Sequence, residues 1–128
     1  MKGKQTFFIC EKCLNLVGLI ENHKVPLVCC GAQMQALVAN TVEASVEKHL
    51  PDVKISEHNI HVTVGSVPHP MEAAHHITFV YVETERGGQR KTLKTGEEPS
   101  VSFCLIDDIP VAVYAYCNLH GLWKTEID

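Results

Sequence analysis

His49, His69, His75, His120 and Cys117 are side chains of the types that bind a transition metal, and each stands in a loop-like or strand-end context. Cys10, Cys13, Cys29 and Cys30 form a second set near the N-terminus. Two ligand sets of different chemistry in 128 residues imply a chain built around metal, and around redox metal above all.

The N-terminal set reads Cys10-x2-Cys13, then fifteen residues, then the adjacent pair Cys29-Cys30, within FFICEKCLNLVGLIENHKVPLVCCG. A C-x2-C turn aims two thiolates at one ion, and a second pair from a facing turn completes a tetrahedron. The ligand set alone permits zinc or a single iron, and disulfides are the competing use of such thiols. A fragment of about 36 residues cannot hold itself together by burial alone, so a metal cross-link would help to fold it. The other set is spread over EKHLP at 47–51, PHPMEAAHH at 68–76 and CNLHG at 117–121. Pro68 and Pro70 keep His69 out of regular structure. A strand beginning at His75 points His76 to the opposite face. Cys117-x2-His120 lets a thiolate and an imidazole reach one ion from one loop. Four neutral imidazoles and a thiolate make a five-coordinate site that suits iron and leaves a sixth position open. An open position on a redox metal is a place for chemistry on a small molecule.

The elements that must position these ligands are mostly strands. Ile60, Val62 and Val64 share one face of HNIHVTVG, and Ile77, Phe79 and Tyr81 share one face of HITFVYV, the alternation of half-buried strands. SVSFCLI and VAVYAY repeat the pattern, each bounded by Pro or Gly turns. ERGGQRK, around Gly87 and Gly88, reads as a hairpin turn. The one helix candidate is residues 42–48, ended before Pro51. Residues from about 40 to 128 therefore read as an antiparallel β-sandwich.

Hydrophobic residues make up 45% and charged residues 20%, the balance of a soluble globular chain rather than a disordered or membrane protein. No apolar run is long enough to span a bilayer. The start, MKGKQTFFIC, lacks the pattern of a secretory signal, so a cytoplasmic location is expected, where clustered cysteines serve metal before disulfides. A formal charge of −4 with no basic stripe gives no reason to expect nucleic acid, and it means that an anionic substrate must be attracted locally.

The order CxxC, CC, EKHxP, GSVPHPMxxxH and YCNLHGLWK resembles desulfoferrodoxin, the two-iron form of superoxide reductase, over essentially the whole chain. The resemblance implies an all-β fold: a desulforedoxin-like iron domain over residues 1–37 and an immunoglobulin-like, neelaredoxin-like sandwich over 38–128. It implies one iron on Cys10, Cys13, Cys29 and Cys30. It implies a second, catalytic iron with His49, His69, His75 and His120 in the plane and Cys117 axial, and roles for Glu47 and Lys48. Family members reduce superoxide to hydrogen peroxide, usually with an electron from rubredoxin, and commonly form homodimers. Ala73, Ala74 and His76 stand where charged residues and an aromatic are more usual, and Cys104 lies outside the pattern. Two other readings compete. A cupredoxin-like electron carrier would need a Met after His120, and Met1, Met34 and Met71 all lie earlier. A zinc-stapled structural module explains the N-terminal cysteines and leaves the histidine motifs without a purpose. Trp123 and Tyr116 flank the Cys117 loop, chiefly as packing.

Overall fold

A computed structural model gives the fold and describes residues 2–127. Two compact units divide the chain, Lys4–Val38 and the remainder. In the small unit, β1 (Thr6–Ile9), β2 (Leu16–Leu19), β3 (Val28–Cys29), β4 (Ala32–Gln33) and β5 (Gln35–Ala36) are short and antiparallel. They form a β2-β1-β5 sheet and a β3-β4 ribbon. Only Phe7, Cys10 and Met34 of this unit are buried, while Leu14, Ile20, Val25 and Val28 stay exposed. So little apolar burial cannot offset the chain entropy of ordering the unit, which needs another cross-link.

The larger unit is an antiparallel sandwich. After a single turn of helix, α1 (Val46–His49), come β6 (Pro51–Ser56), β7 (Asn59–Val64), β8 (Ile77–Thr84), β9 (Gly87–Thr92), β10 (Ser100–Cys104), β11 (Pro110–Cys117) and β12 (Gly121–Glu126). One sheet runs β10-β7-β6 and the other β12-β11-β8-β9, an immunoglobulin-like order in which β9 extends the second sheet. Alternation explains the layers: Ile60, Val62 and Val64 are fully buried while His61 between them is exposed. They meet Ile77, Val80 and Val82 of β8, Phe103 of β10, and Val113, Ala115 and Cys117 of β11. Side chains close the open edges. Lys91 Nζ and Gln89 Nε2 of β9 donate to the carbonyls of Ser102 (2.5 Å) and Cys104 (2.9 Å) on β10. Thr125 Oγ1 of β12 donates to the Pro51 carbonyl of β6 at 2.7 Å. No helix of the described residues is long and apolar enough to cross a membrane.

Three local expectations shift. The helix is Val46–His49 rather than 42–48, because Ser45 is extended (φ −63°, ψ 113°) and Pro51 already opens β6. The hairpin turns at Glu85 and Arg86, held by Asp108, whose carboxylate accepts from Thr84 Oγ1 (2.6 Å) and Arg86 N (3.1 Å). Gly87 and Gly88 already belong to β9, and a side chain at Gly88 would collide with the phenol of Tyr81, so this glycine serves packing. The third shift is at β8, which begins at Ile77 rather than His75. His75 instead exchanges two backbone hydrogen bonds with Glu72, at 2.9 and 3.1 Å.

Candidate metal centres

In the small unit a tight loop after β1 presents the first two cysteines. Leu14 N donates to the Cys10 carbonyl and Cys10 N to the Asn15 carbonyl, both at 2.8 Å, and Leu14 takes a left-handed φ of 68°. The second pair sits on the β3-β4 turn, where Cys30 (φ 53°) and Gly31 (φ 72°) are both left-handed. That reversal turns two adjacent cysteines toward one point. All four Sγ atoms lie within 4.8 Å of one another. Cys13 and Cys29 are 3.6 Å apart and Cys29 and Cys30 4.0 Å apart. A disulfide would be about 2.05 Å, whereas a tetrahedron with metal–sulfur bonds of about 2.3 Å has edges of about 3.8 Å. The spacing fits the metal. Protonation points the same way. Backbone N–H groups of Cys13 and Lys12 bring Cys10 down to about 6, whereas Cys30, which must share a proton with its neighbouring sulfurs, is pushed up to about 12. Cys29 is raised for the same reason. A cation at the centre removes the conflict by replacing those protons.

In the sandwich, four imidazoles stand at the corners of a square. Successive ring centroids are 4.6 Å (His49–His69), 4.6 Å (His69–His75), 5.1 Å (His75–His120) and 4.9 Å (His120–His49) apart, with a His49–His75 diagonal of 6.4 Å. His49 Nδ1 donates to the Ser45 carbonyl at 2.6 Å and His69 Nδ1 to the Pro70 carbonyl at 2.7 Å. Those bonds fix the tautomer, so each Nε2 carries a lone pair. The two Nε2 atoms nevertheless face each other at 3.1 Å, and His120 Nδ1 is also 3.1 Å from His49 Nε2. Lone pairs crowded in this way repel unless a cation lies between them. Adjacent nitrogens around an ion at about 2.1 Å would be about 3 Å apart. His75 Nε2 is buried with no hydrogen-bond partner, an orphan that the same ion would satisfy. Cys117 Sγ, wholly buried at the end of β11, accepts from His120 N at 3.4 Å and lies 3.8 Å from His120 Nδ1. Burial, followed by the neighbouring imidazoles, lowers the pKa of His49, His69 and His75, with His69 reaching about 4, so these rings are neutral and ready to bind a metal near pH 7.

Each ligand is held by its element. His49 ends α1, and its ring stacks on Trp123 at 4.9 Å and 26°. Trp123 Nε1 also donates to the His120 carbonyl at 3.1 Å, so one indole touches two ligands. His69 N donates to the Val64 carbonyl at 2.8 Å, and Val67 N to the Glu47 carbonyl at 3.0 Å, tying the His69 loop to α1. Gly65 lets them approach: a Cβ there would overlap the Glu47 carbonyl and sit 2.9 Å from that of Leu50. Gly121 (φ 78°) closes the turn after His120. Glu47 and Lys48 have exposed side chains on α1, and the Lys48 charge is felt at both His49 and His75. Among the described residues only these two sets cluster as ligands, apart from His120, which adjoins the second. His23 pairs with Glu21, His61 bonds Ser102, His76 Nδ1 bonds the Glu72 carbonyl, and Cys104 is an exposed thiol. The roles of Gly65 and Asn118 are not legible from residue type; the composition of CNLHG offers a signal for Asn118, since a short amide beside two ligands is suited to bonding a neighbouring loop.

Comparison with known proteins adds independent findings. The family described as Desulfoferrodoxin matches residues 41–126. A desulfoferrodoxin from Syntrophotalea carbinolica is 41% identical over 126 residues, spanning 98% of this chain and 99% of that protein. One from Nitratidesulfovibrio vulgaris is 37% identical over 126 residues, with the same 98% and 99% coverage. The crystal structure of the superoxide reductase from Treponema pallidum superposes with a TM-score of 0.82 at 35% identity, covering 97% of this chain and 100% of that one.

Proposed function

The chain belongs to the desulfoferrodoxin family, and from that premise we infer that it is a superoxide reductase using two iron ions per chain. The reaction takes superoxide, one electron and two protons to hydrogen peroxide. The observation that carries this reading is the square of four imidazoles whose nitrogens converge beside a buried thiol. Iron bound by His49, His69, His75, His120 and Cys117 would supply the electron and an open position, with the thiolate pushing electron density toward it.

The rest falls to the chain's own side chains. Ser45 and Pro70 carbonyls hold His49 and His69 in the tautomer that presents Nε2 inward. The His120 N–H steadies the Cys117 sulfur and moderates its donation. Trp123 walls off one flank and so excludes water from that side. Because the whole molecule carries −4, an approaching anion needs a local positive field, and we assign that role to Lys48. Its ammonium also orients water that delivers a proton to the departing peroxide. We assign Glu47, exposed on α1 beside His49, as a carboxylate that would be available to an oxidised iron.

The second iron belongs to Cys10, Cys13, Cys29 and Cys30 in a module spanning residues 1–37, with residues 38–128 forming the reductase module. The geometry of the four sulfurs supports this assignment. A rubredoxin-like donor supplies electrons. The protein acts as a homodimer, a reading supported by the exposed Leu14, Ile20, Val25 and Val28. It works in the cytoplasm, consistent with six cysteines of which none is in a disulfide. The test of the reaction is stoichiometry under a steady superoxide flux with a reductant present: one peroxide per superoxide is expected, and one peroxide per two superoxides, with dioxygen released, would mark a dismutase and overturn the proposal.

A further inference from the structure

Of the four clustered imidazoles, His75 is the one whose ring has no steering hydrogen bond, although its backbone is paired with Glu72 in its own loop. His49 and His69 are steered by Nδ1–H bonds to the Ser45 and Pro70 carbonyls, and the His120 backbone is held at both ends, by Cys117 Sγ and by the Trp123 indole. His75 shows no comparable acceptor, and its Nε2 is buried and unpartnered. It also precedes the regular part of β8, which starts at Ile77. The Glu72 pair shapes the loop from within but does not tie it to the Cys117 loop, and that tie matters because a ligand has to be placed within about 0.5 Å to be effective.

That segment is gripped from the opposite ligand loop by one residue. Asn118 N donates to the His76 carbonyl at 3.1 Å. His76 N donates to Asn118 Oδ1 at 2.8 Å. Asn118 Nδ2 donates to the Ala74 carbonyl at 3.0 Å. The three bonds bracket His75 on both sides, at residues 74 and 76, and they arise from the residue directly after Cys117. They sit where the register between β11 and β8 shifts, between Tyr116 and Cys117, so the regular strand ladder no longer fixes the spacing. An amide is the one short side chain that provides both the acceptor for His76 N and the donor for Ala74 O; aspartate lacks the donor and serine is shorter.

We propose that Asn118 is a positioning residue for the reductase centre: its side chain locks the 74–76 segment to the Cys117–His120 loop and thereby holds His75 on the same ion as Cys117. The proposal rests on the assignment of these five residues to one iron. Asn118 itself touches neither ion nor substrate. Its effect is to keep His75 from swinging away, which would leave the ion with one imidazole fewer and with water in its place. Outer-shell partners of metal ligands change affinity by about 10- to 100-fold, and Asn118 belongs to that class of effect.

The experiment uses the full chain loaded with iron at both centres. Iron release to a strong chelator is followed separately at each centre through its own visible absorption, for wild type, Asn118→Ala, Asn118→Asp and Thr84→Ala. The last removes the Thr84–Asp108 bond at the hairpin turn and serves as a control for general destabilisation. Asn118→Ala is expected to release iron from the histidine centre about 10-fold faster or more, and to shift its thiolate-to-iron band, with release from the cysteine centre unchanged. Asn118→Asp keeps the acceptor for His76 N and is expected to fall between, which keeps the test decisive if the alanine variant folds poorly. Release and band position equal to wild type in the aspartate and alanine variants would overturn the proposal. So would acceleration matching that of Thr84→Ala at equal loss of Tm. A wild-type protein with no iron at the histidine centre would instead sink the ligand assignment on which the proposal stands.

Discussion

Gly65→Ala tests how the two halves of the histidine centre are joined. Gly65 has nothing forcing a left-handed φ, so the effect of a methyl group there is steric. The added Cβ would overlap the Glu47 carbonyl oxygen and stand 2.9 Å from the Leu50 oxygen and 3.0 Å from the Lys48 carbonyl carbon. All three are backbone atoms of α1 and its exit, so no rotamer change relieves the overlap. Ordinary contacts need about 3.5 Å, so α1 must retreat from the 64–69 loop by roughly 0.5–1 Å. That displacement breaks the Val67 N–Glu47 O bond at 3.0 Å and the weaker Ser66 Oγ bond to the same carbonyl at 3.3 Å. Overpacking contributes about 2 kcal/mol of destabilisation and the lost hydrogen bond about 1 kcal/mol, which together lower Tm by roughly 12–24 °C for a domain of about 90 residues. Because His49 ends α1 and His69 follows the loop, the square of nitrogens opens by a distance comparable to the tolerance of a metal site. Thermal unfolding together with iron analysis at each centre measures both effects. A variant within about 2 °C of wild-type Tm and fully loaded at the histidine centre would refute the reasoning.

Other outcomes follow from the same geometry. Lys48→Ala should slow the reaction with superoxide several-fold and flatten its dependence on ionic strength, with the iron spectrum nearly unchanged; equal rates by pulse radiolysis would remove the steering role. Trp123→Phe keeps a ring against His49 but loses the hydrogen bond to the His120 carbonyl, for about 1 kcal/mol of stability and a shifted thiolate-to-iron band; an unmoved band would show that the indole N–H does not orient His120. The metal-free sandwich should lose stability in acid. His49, His69 and His75 have pKa values lowered from 6.5, His69 to about 4, so the unfolded chain binds protons that the folded chain refuses. Their contribution is complete above about pH 6.5 and is lost as the pH falls toward 4, and a Tm of the iron-free protein that stays flat between those values would contradict the burial of these rings.

How much of this was legible beforehand depended on the kind of signal each residue carries. Cysteine and histidine announce their chemistry by type, so all nine ligand candidates could be named from spacing and motif. Strands with one buried face, such as β7 with Ile60, Val62 and Val64, betray themselves by alternation. β6, β9 and β12 do not: β6 is exposed beyond its first residues, β9 is exposed throughout, and β12 buries the adjacent pair Leu122 and Trp123. Positioning residues were the least visible. Gly65 acts through a backbone contact with a segment fifteen or more residues away in sequence, and Asn118 acts through three hydrogen bonds across a register shift. Such roles exist only once the chain has folded. Trp123, from its place beside the Cys117 loop, reads in the sequence as packing; that it also bonds the carbonyl of a ligand is a fact of geometry alone.

The most direct test of the central claim is iron content per chain, read together with the visible spectrum during stepwise oxidation, for wild type and Cys117→Ser. Two irons per chain are expected, with a cysteinyl-iron spectrum throughout and a second thiolate-to-iron band that appears on oxidation and vanishes in Cys117→Ser. Zinc or copper at the histidine centre of protein from iron-replete cells, or a second band that survives the loss of Cys117, would contradict the account.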